Sequence, residues 1–149
     1  METIFKSDLE IKSYNKDNGY FEGYANVFNE IDSQSDCIEK MAFKESIEYF
    51  QRKKYPPMYF EHNPAIPLGK WTLIQEDHYG LYVQGKLLFV LPMALSVHAL
   101  MQKRSIGLSV GIRVAKSKVQ NGIRHISKAD LCEISITKTP SNNKARVFI

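Results

Sequence analysis

One strictly alternating segment constrains the fold more than any other part of the sequence. Its aliphatic positions are Ile106, Leu108, Val110, Ile112 and Val114, and the positions between them are Gly107, Ser109, Gly111 and Arg113. A period of two is typical of a β-strand with one face buried in a core. The other face carries a single hydroxyl, Ser109, between two glycines, so another chain segment can approach it closely. The segment predicts a sheet with an uncrowded serine.

The rest of the chain predicts more strands and two helices. Strands are predicted at residues 6–14, 20–28, 58–61, 67–73, 81–89, 124–126 and 128–138, from β-forming content bounded by turn residues. Amphipathic spacing and Pro92 predict helices at 42–52 and 92–103. Asn121-Gly122 predicts a two-residue hairpin turn. The expected fold class is mainly β with flanking helices (α+β).

Length and composition favour one domain over residues 1–149. A hydrophobic content of 44% is enough for a core at this length and excludes intrinsic disorder. The longest apolar stretch, 87–97, is interrupted by Pro92 and is too short to span a membrane. The charged residues among the first ten exclude the apolar core of a signal peptide.

Charge and cysteine content argue against two further classes of protein. The net charge of +4 is mild and the cations are not gathered on one element, so nucleic-acid binding is not expected. Cys37 and Cys132 form neither a disulfide framework nor a zinc spacing. We expect reduced thiols in an intracellular setting, and no metal or cofactor.

The polar residues that could carry chemistry are few. A serine nucleophile needs a neighbouring base, usually histidine, that a third polar group orients. His62 is the strongest base, because Asn63 and Pro64 restrict the backbone beside it. Glu133 is an acid within the last predicted strand. From the residues alone, Ser109 is also compatible with a packing role and Glu133 with a solvent-facing one.

Three further histidines and one arginine are weaker candidates. His78 is in a predicted turn and His98 is on a predicted helix, where solvent exposure and packing respectively account for them. His125 follows the hairpin turn and could neighbour the Ser109 strand. Arg113 shares the Ser109 face, although four residues of strand separate them by roughly 13 Å.

Six short segments occur in a fixed order along nearly the whole chain. They are FEGYANVFNEID at 21–32, MAF at 41–43, EHNPAIPLGKW at 61–71, GLYVQGKL at 80–87, SIGLSVGI at 105–112 and DLCEISITKTPSNNKARV at 130–147. The ordered set resembles the prohead (procapsid maturation) protease family of tailed bacteriophages. That family is related in fold to the herpesvirus maturation protease (assemblin), so the resemblance implies a β-barrel flanked by helices.

The resemblance also implies residue roles. The family's serine nucleophile corresponds to Ser109 in GLSVG, its histidine to His62 in EHNP and its acidic position to Glu133 in LCEIS. Relatives in the wider superfamily use a second histidine as the third member, so His125 remains an alternative to Glu133. Backbone N–H groups near Ser109, or Arg113, are candidates for holding the oxyanion.

The implied function is that of a serine endopeptidase in procapsid maturation. Its substrates would be the phage scaffold, segments of the major capsid protein and the protease itself, inside the immature procapsid in the host cytoplasm. By analogy with the herpesvirus enzyme, a homodimer is also an expectation. Family members commonly extend further in a charged tail, so an end at Ile149 suggests a trimmed or self-processed chain.

A second hypothesis belongs to another class of protein. A non-catalytic β-barrel could act in capsid assembly or bind nucleic acid through its positive charge, with an affinity that falls steeply with salt.

Overall fold

The computed structural model describes the backbone of residues 3–7 and 10–14 and all of residues 18–138. In chain order these ranges contain β1 (Thr3–Ser7), β2 (Glu10–Tyr14), β3 (Tyr20–Val27), β4 (Asp36–Ile38), α1 (Lys44–Arg52), β5 (Pro57–Phe60), β6 (Asn63–Glu76), β7 (Gly80–Leu87), α2 (Ala94–Gln102), β8 (Gly107–Gln120) and β9 (Ile123–Thr137). The fold class expected from the sequence, mainly β with flanking helices, is confirmed.

All nine strands of the described ranges belong to one sheet. The strand order is β1-β8-β9-β5-β6-β7-β3-β2, and β4 pairs with β9 off this path. Most pairs are antiparallel, but β9 pairs in parallel with both β4 and β5. The sheet curls into a half-barrel in which β3 contacts β8. This curvature separates a buried aliphatic interior from an outer face.

The alternating segment lies where its pattern predicts. Leu108, Val110 and Ile112 of β8 have no exposed surface and pack into the hydrophobic core, and Phe43 and Ile47 from the α1 region belong to the same core. Beyond Val114 the strand leaves the core, and its residues up to Gln120 are mostly exposed. The aliphatic face of β8 therefore anchors the middle of the sheet.

Several strands differ from the sequence predictions. The predicted strand 6–14 corresponds to two strands, because β1 pairs with β8 whereas β2 pairs with β3, and the short strand β4 was not predicted. Residues 123–137 form one continuous strand instead of two, because irregularities in the β8–β9 pairing near Lys116 absorb the break in the pattern. Strand β6 begins at Asn63 instead of residue 67, because it pairs with β5 through two irregular steps that accommodate the prolines. The Asn121-Gly122 turn is confirmed, and both residues have the positive φ of a type I′ hairpin.

Some predictions are not tested by these elements. Residues 140–143, whose proline and asparagines predict the end of the last strand, lie outside the described residues, and the single domain over 1–149 stays a prediction. No helix in residues 18–138 has the length and apolarity needed to cross a membrane.

Candidate active site

The outer surface of β8 and β9 carries a row of polar side chains, which we call the polar face and define by Ser109, Glu133 and Ser135. Ser109 is the direct partner of Ser135, and Gly111 is the direct partner of Glu133. Because directly paired residues project to the same side of a sheet, all three polar side chains lie opposite the aliphatic core. Each is buried, with Ser109 and Ser135 fully so.

His62 reaches this face from a tight turn between β5 and β6. Phe60 pairs with Asn63, so Glu61 and His62 are the two turn residues, and their φ values are 54° and 59°. Positive φ at both positions is what a type I′ turn requires, but it is unfavourable for residues other than glycine. The sequence predicted a turn at His62 to Pro64. The observed turn is one residue earlier and holds the imidazole in a strained, defined position.

A β-bulge places Glu133 on the polar face. The pairing runs from Gly111 opposite Glu133 to Ile112 opposite Leu131, so Cys132 is an extra residue on β9. The bulge puts Leu131 in the core, whereas strict alternation predicted that it shares a face with Glu133. Bulges occur often beside functional sites because they re-aim side chains.

Three side chains form one continuous chain of hydrogen bonds. The Ser109 Oγ lies 2.7 Å from His62 Nε2. The other ring nitrogen, Nδ1, contacts Glu133 Oε1. The sequence separations are 47 and 71 residues, so only the fold brings these groups together. The serine, histidine and acid expected from the sequence are thus in mutual contact.

Ser109 is buried among polar side chains and not inside the aliphatic core. Its neighbour is the imidazole, whose side chain retains 16% of its surface exposed, whereas Ser109 retains none. Solvent therefore reaches this group of side chains at the His62 ring.

Ser135 is a member of this site that sequence reasoning missed. Its hydroxyl donates to Glu133 Oε2 at 2.5 Å and accepts the backbone N–H of His62 at 3.2 Å. The two Glu133 oxygens are therefore divided between the imidazole and this hydroxyl. A period-two reading of β9 could have found it, because Ser135 is two residues beyond Glu133 on the same face.

Glu61 is a second residue that the sequence analysis overlooked. Its backbone N–H donates to Ile136 O at 3.0 Å, and its carboxylate accepts Thr137 Oγ1 at 3.1 Å and the backbone N–H of Lys138. These bonds tie the strained turn to the end of β9. Its position immediately before His62 was the only signal in the sequence.

The alternatives to these residues lie elsewhere. His125 pairs with Lys118, nine residues along β8 from Ser109, which is roughly 30 Å of strand. His78 is exposed, and His98 is buried with its ring against Phe89. Arg113 is exposed in a separate groove with Tyr49 and Asp130. The third position of the hydrogen-bonded chain is therefore filled by Glu133 and not by His125.

Other chemistries find little support among residues 18–138. Burial raises the pKa of the Cys37 and Cys132 thiols, which disfavours the reactive thiolate form. Both cysteines are free. No group of three or more His, Cys, Asp or Glu in this part of the chain could hold a metal ion.

Comparison with known proteins agrees with this geometry. The family model described as caudovirus prohead serine protease matches residues 7–149. The chain belongs to this family. It is 37% identical to the prohead protease of Enterobacteria phage HK97 over 153 residues, which cover 99% of this chain and 67% of that protein.

The fold of this chain also resembles that of a solved structure. The bacteriophage T4 capsid assembly protease matches with a TM-score of 0.72, covering 93% of this chain and 98% of that one. The sequence identity is 10%, so this likeness concerns the fold alone. Membership of a serine protease family favours the peptidase hypothesis over the non-catalytic binding module.

Gly111 provides a test of how tightly Glu133 is positioned. A Cβ at this position would lie 2.4 Å from Glu133 Oε1 and 3.0 Å from its Cδ, so the carboxylate must move. We expect Gly111→Ala to lower kcat by roughly 10²- to 10³-fold, since the acid would no longer orient the imidazole. Peptide cleavage and thermal unfolding should be measured on the same preparation.

Gly122→Ala is the matched control for this substitution. Gly122 lies at the hairpin turn with φ 76°, and nothing is within 4 Å of its added Cβ. It should lower the unfolding temperature through backbone strain while leaving kcat unchanged. Wild-type activity in Gly111→Ala would contradict the proposed importance of the Glu133 position.

Proposed function

We propose that this prohead protease is a serine endopeptidase in which Ser109 is the nucleophile, His62 the general base and Glu133 the group that orients the base. The supporting observation is the unbroken chain of contacts from the Ser109 hydroxyl through both imidazole nitrogens to a buried carboxylate. Nucleophile, base and orienting acid within hydrogen-bond reach define this chemistry independently of the fold.

The direction of proton transfer follows from the Glu133 carboxylate at one end of the hydrogen-bonded chain. An ionised carboxylate can only accept, so Glu133 requires the proton of the neutral ring to be on Nδ1. The Nε2 lone pair then faces Ser109. As the hydroxyl oxygen attacks a peptide carbonyl carbon, its proton moves to Nε2, and the imidazolium later gives that proton to the leaving amine. Water repeats the sequence to release the acyl group from Ser109.

Access to Ser109 must precede this chemistry. The serine is fully shielded, and the partly exposed edge of the site is the His62 ring. A substrate peptide therefore has to approach past the imidazole and displace the atoms that shield the hydroxyl. The oxyanion would be held by backbone N–H groups near Ser109, as the sequence analysis anticipates.

The biological substrates proposed are the phage scaffold, removable segments of the major capsid protein and the protease itself. The family description and the names of the relatives, a prohead protease and a capsid assembly protease, support this class of substrate. Cleavage would occur inside the procapsid in the host cell. A homodimer remains a proposal by analogy with the herpesvirus enzyme.

Removal of either reacting group tests the central assignment. Ser109→Ala and His62→Ala should each lower the rate of peptide cleavage by a factor on the order of 10⁴ to 10⁶. The measurement is turnover of a denatured protein substrate, with circular dichroism to verify the fold.

Ser105→Ala is the matched control, since Ser105 is exposed and its hydroxyl only donates to Leu100 O at 3.3 Å. It should retain full activity. An active Ser109→Ala protein, or an inactive Ser105→Ala protein, would mean that the nucleophile has been assigned to the wrong residue.

Ser135 should act as a positioning residue. Its loss leaves one buried Glu133 oxygen and the His62 N–H without this partner, which should lower the free energy of unfolding by about 1–3 kcal/mol. We also expect Ser135→Ala to lower kcat roughly 10- to 100-fold with little change in KM, because Ser135 acts on the reaction through Glu133 and the His62 turn.

Ser127→Ala serves as the control on the same strand. Ser127 is exposed and its hydroxyl bonds only weakly, at 3.5 Å, to Lys116 O. It should change neither kcat nor KM. A Ser135→Ala protein that loses stability but keeps the wild-type kcat would reduce Ser135 to a structural role.

A further inference from the structure

A second feature of the outer surface lies beside the proposed catalytic residues. A groove of about 460 Å³ opens between β5 and β6 and the segment that follows α1. We call it the basic groove and define it by the lining residues Lys53, Lys54, Tyr55, Tyr59 and Lys70. None of Ser109, His62 and Glu133 lines this groove, so the proposed catalytic chemistry does not explain its presence.

The basic groove opens on the same side of the sheet as the polar face. Tyr59 of β5 is the direct partner of Ser135 in β9. Pro57, two residues earlier on β5, shares the Tyr59 face and is the direct partner of Lys70 in β6. Because paired residues project to one side, Tyr59 and Lys70 extend the polar face away from Ser109.

The separation between the groove and Ser109 suits an extended peptide. Strand β5 is two positions from β8 in the sheet, and neighbouring strands are about 4.8 Å apart, so Tyr59 is roughly 10 Å from Ser109. An extended chain advances about 3.3 Å per residue. A peptide whose scissile bond is at Ser109 would reach Tyr59 with a side chain about three residues away. It would reach Lys70, which is one strand and two residues further and roughly 16 Å from Ser109, about five residues away.

The positive charge of the basic groove favours acidic side chains in a bound peptide. Lys53, Lys54 and Lys70 are exposed, and no acidic residue lines the groove. None of the three lysines forms an ion pair with another residue of the 18–138 range. Tyr55 and Tyr59 are half-buried and provide aromatic walls against which a peptide backbone can pack.

We propose that the basic groove is a specificity subsite that binds an acidic stretch of the polypeptide substrate, about three to five residues from the scissile bond. This inference rests on the proposed peptidase function, because it places the substrate at Ser109. Binding of an acidic peptide to the basic groove can nevertheless be measured without cleavage.

The binding test uses a catalytically silent protein and a defined probe. Fluorescein-labelled hexaglutamate is titrated into Ser109→Ala protein and followed by anisotropy. Adding Lys53→Glu and Lys70→Glu to that protein should weaken binding roughly 5- to 30-fold, because two attractions become repulsions. The matched control is Lys118→Glu, on the exposed arm of β8, which should leave binding within about twofold of the parent protein.

The cleavage test uses the wild-type protein and a proteome-derived peptide library analysed by mass spectrometry. Cleaved sites should be enriched in Asp and Glu about three to five residues from the cut bond on one side. The Lys53→Glu/Lys70→Glu protein should lose this enrichment or replace it by Lys and Arg.

The outcomes separate the two proposals. Cleavage without any acidic preference, or hexaglutamate binding that the lysine changes leave intact, would overturn the subsite. Binding of a ten-residue oligothymidine at the groove without binding of hexaglutamate would overturn it as well, since the groove would then serve nucleic acid. Failure of the wild type to cleave any peptide would overturn the peptidase, while the anisotropy result would still decide the groove.

Discussion

The parallel pairing of β5 with β9 is the constraint on which the site depends. It joins residues 58–60 to residues 134–136, so a turn near the middle of the chain is held against the end of the last strand. The turn that follows β5 contains His62, and β9 contains Glu133 and Ser135. Antiparallel pairing of β9 with β8 then adds Ser109. Without the β5–β9 pair, the base would have no fixed relation to the serine.

The energetic cost of this arrangement is concentrated at the turn. Glu61 and His62 are consecutive, neither is glycine, and both have a left-handed φ. This conformation costs of the order of 1–2 kcal/mol for each residue. Hydrogen bonds from both turn residues to β9, and from the end of β9 to the Glu61 carboxylate, offset that cost. Strain of this kind is typical of functional sites, where the surrounding structure determines the conformation.

The two faces of β8 illustrate what the sequence could predict. Alternation over 106–114 predicted both the buried aliphatic face and the uncrowded serine, because strand periodicity is a local property. The residues alone made His62 the strongest base and Glu133 a candidate acid, and the family resemblance gave both their catalytic roles. The period of two places Ser135 on the Glu133 face, and a turn was predicted one residue late, at His62 to Pro64. The bulge at Cys132, the position of the turn and the hydrogen bonds of Ser135 were not predictable, since each depends on pairing between distant strands. The sequence prediction divided β9 at Ser127. In the structure Ser127 is the extra residue between Ile126, opposite Ser117, and Lys128, opposite Lys116, so pairing with β8 continues across the interruption.

Covalent labelling tests the central claim most directly. A serine-directed fluorophosphonate reacts with an alcohol that a neighbouring base activates, and peptide mass spectrometry identifies the modified residue. We expect the active protein to be labelled at Ser109 alone, and His62→Ala and Glu133→Gln each to slow the labelling by about two orders of magnitude or more. Modification at another residue, or equal labelling rates in the His62→Ala protein, would contradict the assignment of Ser109 and His62.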